Sequence, residues 1–151
     1  MALFLERNFR TDDLIEDAIW KKIREHEYIE EYLTDNIDIS LMVAAYAFKK
    51  AKHDRKQLSK INTNGGWLQS LSKSQKNKVK NEERIDNAIT LMLAIAVEDR
   101  GDLDILKEST NDIQSISEEY ANAGAEEFYN LILKSESAEI FYKELFELIT
   151  T

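Results

Sequence analysis

The chain has 151 residues, 43% of them hydrophobic, and 20 Lys and Arg against 29 Asp and Glu give a formal net charge of -9. That length and apolar content suit one domain with a real core and exclude a disordered polymer, and no apolar run reaches the roughly 18 residues of a membrane-spanning helix. Cysteine is absent, which removes disulfides, thiolate metal sites and thiol nucleophiles together; with no export signal in the Met1 to Arg7 lead, a cytoplasmic protein is expected.

Proline is also absent and glycine occurs only at Gly65, Gly66, Gly101 and Gly124, too few for an architecture of tight turns. The expected fold is all-α, a compact bundle of five or six helices in a single domain over 1-151. After an apolar lead (Leu3, Phe4, Leu5, Phe9), Thr11, Asp12 and Asp13 offer N-caps, and Asp13 with Glu16 has the spacing of a capping box. Leu14, Ala18, Ile19, Ile23, His26, Ile29 and Leu33 then recur at three- and four-residue steps, predicting one amphipathic helix to about Leu33. A second helix is predicted from Asp38 or Ser40, its apolar face Leu41, Ala44, Ala45, Phe48 and Ala51, with the pattern extending to Leu58 or Ile61. Asn62 to Gly66 reads as a loop, Trp67, Leu68 and Leu71 as a short helical turn, and Ser72 to Asn81 as either helical or mobile, so that about 59-81 forms a basic connector.

From Glu82 to Arg100 the residues Ala88, Ile89 and Leu91 to Val97 are apolar on nearly every face, which predicts a buried central helix over about 82-100, stopped by Gly101. Leu103, Ile105 and Leu106 read as a connector. Ser109 and Asp112 have capping-box spacing ahead of a long helix through Ile113, Ile116, Tyr120 and Leu131, whose small patch Ala121, Ala123, Gly124, Ala125 permits close helix contact. A last helix, about Ser137 to Ile149, carries more apolar surface than one core stripe needs, and Ile140, Phe141, Leu145 and Leu148 form a candidate association surface.

Charge is strongly segregated. From Lys49 to Lys80 the segment carries Lys49, Lys50, Lys52, Arg55, Lys56, Lys60, Lys73, Lys76, Lys78 and Lys80 against the single acid Asp54, a net +9, which leaves -18 for the remainder. On a continued second helix Lys49, Lys52, Lys56 and Lys60 would line one flank, a stripe suited to phosphates or to an acidic protein face; Trp67 could add a stacking group, although a tryptophan accompanied by Leu68 and Leu71 is more often a core anchor. A lysine run is also an ordinary solvated surface that offsets acid elsewhere.

The basic segment followed by Asn64-Gly65-Gly66-Trp67-Leu68-Gln69-Ser70-Leu71 resembles the basic helix and Asn-Gly-Leu turn of the small helical subunits of type III CRISPR effector complexes. The resemblance covers about 25 residues. Those subunits continue with an apolar Ala-Phe-Leu type run where this chain has Ser72-Lys73-Ser74, and the acidic N-terminal helix has no counterpart in them. The resemblance implies nucleic-acid binding by the 49-80 region.

Catalytic patterns are incomplete throughout. His26 and Glu30 share a helical turn, but the second His of an H-E-x-x-H zinc site is missing, and the Glu-x-x-His di-iron spacing fails at both His26 and His53. Asp99, Asp102 and Asp104 lack the order of a calcium loop and read as a capped helix-helix turn. Glu118/Glu119 and Glu126/Glu127 read as solvated faces. The sequence therefore predicts no catalytic, cofactor or metal residue and no enzyme. It predicts a helical accessory or adaptor subunit acting through protein-protein contacts or self-association, with nucleic acid held by the basic region as the alternative.

Overall fold

The computed structural model describes residues 7–50, 54–68 and 78–150, the last span without the side chains of 78–80. The Leu3 to Leu5 lead, Lys52, His53, Leu71, Lys73 and Lys76 lie outside the described residues, as does most of the Ser72 to Asn81 segment.

Where local signals are strong, the expected helices form. Ser109 accepts a hydrogen bond through Oγ from the Asp112 N–H at 3.2 Å and opens a helix over Thr110–Lys134, and the Ser137 Oγ accepts from the Ile140 N–H at 3.2 Å ahead of Ala138–Thr150. The helix Lys78–Arg100 ends where Gly101, at φ +81°, turns left-handed while its N–H reaches the Val97 carbonyl at 2.9 Å. In chain order the six α-helices of the described residues are α1 Lys21–Glu25, α2 Glu27–Glu30, α3 Asn36–Lys50, α4 Lys78–Arg100, α5 Thr110–Lys134 and α6 Ala138–Thr150.

The molecule is organised around α3 and α5. Ile37, Ile39, Leu41, Val43, Ala44, Tyr46, Ala47 and Phe48 are all buried, so α3 is enclosed on most of its circumference, chiefly by α5 and also by α4 and α6. The small patch on α5 is what permits this. A methyl added at Gly124 would stand 2.4 Å from the Ala47 Cβ, so the two helices cross nearly backbone to backbone. Edge-to-face pairs flank the crossing, Tyr46 with Phe128 at 5.6 Å and Phe48 with Tyr120 at 5.1 Å between centroids, each adding about 1 kcal/mol beyond its buried area. Helix α4 buries Ile85, Ala88, Ile89, Met92, Ile95 and Ala96 against this pair.

Two expectations fail. The first helix is not continuous. Asp12, not Asp13, is the cap, its Oδ1 accepting from the Leu14 N–H at 3.0 Å, and a 3-10 turn Asp13–Ile15 and a π turn Glu16–Trp20 precede α1. His26 then breaks the chain at ψ 138° and caps α2 with its ring, Nδ1 accepting from the Tyr28 N–H at 3.1 Å. The reason is geometric: Ile23 and Ile29 are both fully buried, yet six residues on a straight helix point about 120° apart and cannot serve one core face.

Nor does the second helix continue to Leu58 or Ile61. It is described as Asn36–Lys50, residues 54–58 are non-helical, and Ile61–Asn62 (β2) pairs antiparallel with Thr11–Asp12 (β1), Thr11 opposite Asn62 and Asp12 opposite Ile61. Stronger partners than a helix ladder exist here. The buried Asp12 carboxylate accepts from the Ser59 N–H at 2.8 Å and the Lys60 N–H at 3.3 Å, and α5 takes the Lys56 N–H on the Glu119 carbonyl at 3.1 Å.

Candidate protein-binding groove

The basic segment does not form the expected stripe. Lys49 and Lys50 end α3 and are exposed, but Arg55, Lys56 and Lys60 lie on non-helical chain laid over α5, so no helical flank unites them. Two of the cations are used internally. Arg55 Nε stands 3.3 Å from Asp99 Oδ1 and its Nη1 3.5 Å from Glu119 Oε1, and Lys60 Nζ stands 3.3 Å from Asp13 Oδ2. Asn122 donates to the carbonyls of Lys56 and Gln57 at 3.1 and 3.3 Å, which straps the segment down. Trp67 is half-buried beside the buried Leu68, and Lys78 and Lys80 begin α4.

On α6 the four candidate association residues divide. Phe141 and Leu145 are 0% and 4% exposed and belong to the core, Phe141 packing edge-to-face on Phe128 at 5.6 Å. Ile140 is exposed and Leu148 half-buried, while the large apolar group left in solvent is Phe146, at 68%. Tyr142 anchors the helix by donating from its hydroxyl to the Tyr28 carbonyl at 2.5 Å, and burial pushes its phenol up to about 12.

A better-defined surface lies at the end of α4. The helix is apolar around most of its girth, but α3 and α5 cover only one side, so Leu93, Ala94 and Val97 face outward or stand half-covered. After Gly101, the Asp102 carboxylate accepts from the Asp104 N–H at 2.8 Å and starts a 3-10 turn, Leu103–Lys107, which rests on α4 and buries only Ile105. With three residues per turn, a 3-10 helix stacks positions i and i+3 on one side, so seating Ile105 sends Leu103 and Leu106 outward together. They are 68% and 46% exposed. Between them and α4 opens a groove of about 760 Å3, lined chiefly by Leu93, Ala94, Val97, Leu103 and Leu106, with Glu98 and Asp102 at its rim. Such a volume is of the size that accepts a few side chains.

Sequence reasoning also missed the most buried carboxylate among the described residues. Glu118 is 2% exposed where a solvated face was expected; it accepts from Arg7 Nη1 at 2.5 Å and Nη2 at 3.1 Å and from the Arg10 N–H at 2.6 Å. Burial pushes its carboxyl up, against the pull of Arg7. The available signal was the stripe Gln114, Glu118, Ala121, Asn122, Ala125, a polar inlay on a core face. This arrangement ties the N-terminal strand to α5 and has the geometry of a clasp. A second polar tie joins α3 to α4, where Arg84 meets Asp35 at 2.8 Å and also pairs with Asp38.

Among the described residues no three His, Asp or Glu side chains gather closely enough to share a metal ion, and no helix is long and apolar enough to cross a membrane. Asp102 serves the turn as a cap, and Asp99 accepts from the Tyr120 hydroxyl at 2.6 Å, so these two acids have structural partners. Compared with known protein families, curated proteins and solved structures, the chain matches none.

Proposed function

We propose that the chain is a non-catalytic helical adaptor that works through protein-protein contacts within a larger assembly. The observation that carries this reading is the groove at the end of α4, where two leucines are held outward by a capped turn beside uncovered aliphatic surface. A contiguous apolar patch rimmed by polar groups, rather than a singly exposed leucine, is what marks an interaction surface. Among the described side chains, the alternative, nucleic-acid binding by the 49-80 region, keeps Lys49, Lys50 and Lys56 as exposed cations, while Arg55 and Lys60 face acids of the same chain. Pairing of that kind lowers the potential a phosphate backbone would meet.

The test is isolation of the native assembly at moderate salt from cells carrying the wild type, Leu103→Glu or Lys56→Glu. The adaptor reading expects a protein component lost with Leu103→Glu and kept with Lys56→Glu. An assembly that contains nucleic acid, survives Leu103→Glu and dissociates with Lys56→Glu supports the alternative.

A further inference from the structure

The chemistry of the groove also specifies what fills it. We infer that its occupant is a basic amphipathic helix of another protein, about three turns long, which inserts aliphatic side chains between α4 and the Leu103–Lys107 turn; the inference rests on the adaptor reading above.

Length comes first. The groove follows α4 from Thr90 to Gly101, which at 1.5 Å per residue is about 16 Å, or three helical turns of a partner. Mode of recognition comes next. An added strand needs an unpaired sheet edge, and the only sheet among the described residues is the β1-β2 pair, none of whose residues lines the groove. A polyproline segment needs aromatic walls, and none of the lining residues is aromatic. An aliphatic trough beside a straight helix suits a helix with apolar residues at i, i+3 or i+4, and i+7.

Charge sets the sign of the partner. Glu83, Asp86, Thr90, Ala94 and Val97 recur at three- and four-residue steps on one outward face of α4; the groove lining begins at Thr90, so the exposed acids Glu83 and Asp86 precede it on that face, while Glu98 and Asp102 line its far end. The cations nearest the turn are already engaged, Arg100 with Glu108 at 3.7 Å and Lys107 with Asp104 at 3.6 Å. The C-terminal end of α4 adds its own partial negative charge beside Gly101. Acids lining one end of an aliphatic trough, with further acids before it on the same face of α4, select Lys and Arg flanking the inserted side chains, and disfavour an acidic helix or a nucleic-acid backbone.

The test uses two dye-labelled 18-residue helix-forming peptides with Leu at i, i+3, i+7 and i+10, one with Lys and Arg at the remaining positions and one with Glu. Their fluorescence anisotropy is read against wild type, Ala94→Glu, Leu103→Ser and the double Glu98→Gln/Asp102→Asn. Ala94 and Leu103 are exposed, so those variants fold, which thermal melts verify. Expected are saturable binding of the basic peptide, at least tenfold weaker binding of the acidic one, and at least fivefold losses in all three variants with a reduced salt dependence for the double variant. If both peptides bind equally and Leu103→Ser weakens both, the adaptor groove stands and the basic-partner inference falls. If neither peptide binds, or binding ignores Ala94 and Leu103, the groove itself is refuted as a docking site. A protein that dimerises through Leu103 in light scattering overturns the inference in favour of a second copy.

Discussion

Replacing Gly124 with alanine tests the packing on which the whole arrangement depends. The new Cβ would stand 2.4 Å from the Ala47 Cβ and 2.9 Å from its Cα, where carbon-carbon contact requires about 3.5 to 4.0 Å. Neither atom can swing aside, so α3 and α5 must separate by more than 1 Å on the order of the shortfall, and overpacking of this kind costs about 3 kcal/mol. Alanine in a helix interior returns about 1 kcal/mol over glycine, leaving a net loss of about 2 kcal/mol. For a chain of this size that is roughly 4 to 8 °C in Tm. Ala47→Gly alone loses helix propensity and one buried methyl, about 2 kcal/mol. The double variant moves the methyl from one helix to the other and should lie within about 1 kcal/mol of wild type, a coupling of about 3 kcal/mol. Urea unfolding followed by circular dichroism measures all four corners of the cycle. A Gly124→Ala protein as stable as wild type, or additive single effects, would refute the close crossing.

Three further outcomes follow from the polar contacts. Glu118→Ala leaves Arg7 without its counter-charge and should cost about 3 kcal/mol in urea; the folded carboxyl lies above its ordinary 4.5, so its stabilisation is fullest below that value and is lost as pH rises through the folded value. Wild type should therefore gain on Glu118→Gln as pH falls from 7 toward 4.5, and a flat difference would contradict the assignment. Asp12 has the opposite sign: burial opposes the charge, but the N–H groups of Ser59, Leu14 and Lys60 and the charge of Lys56 prevail and hold it below its ordinary 3.8. Asp12→Ala should cost about 2 kcal/mol, speed hydrogen exchange at Ser59 and Lys60, and lose its disadvantage as pH falls through that low value. His26→Ala should cost about 1 kcal/mol and His26→Asn much less, because asparagine also caps; equal melting temperatures for the two would remove the ring from the cap.

The C-terminal half was legible because its signals are local. Gly101 and the Ser109 cap act within a turn or so of their own position and are where the pattern placed them, and the Gly124 patch announced a close helix contact although its partner, Ala47, lies far away in the sequence. The N-terminal half was not, because Asp12 and Ile61 pair across a separation that leaves no periodic trace, and the break at His26 is set by where Ile23 and Ile29 must point. A lysine run counted along the sequence likewise omits the distant acids Asp99 and Glu119 that Arg55 faces. The apolar girdle on α4 was visible, but whether such a helix is wrapped or lines a groove depends on how many neighbours reach it, and the outward seating of Leu103 and Leu106 depends on a 3-10 turn rather than an α turn.

The adaptor proposal is tested most directly by photo-crosslinking in living cells, with benzoylphenylalanine placed at Leu103 in one strain and at Lys56 in another. The account predicts a discrete protein adduct from position 103, abolished by Ala94→Glu, and no comparable product from position 56. A nucleic-acid adduct at position 56 with none at position 103 would contradict it.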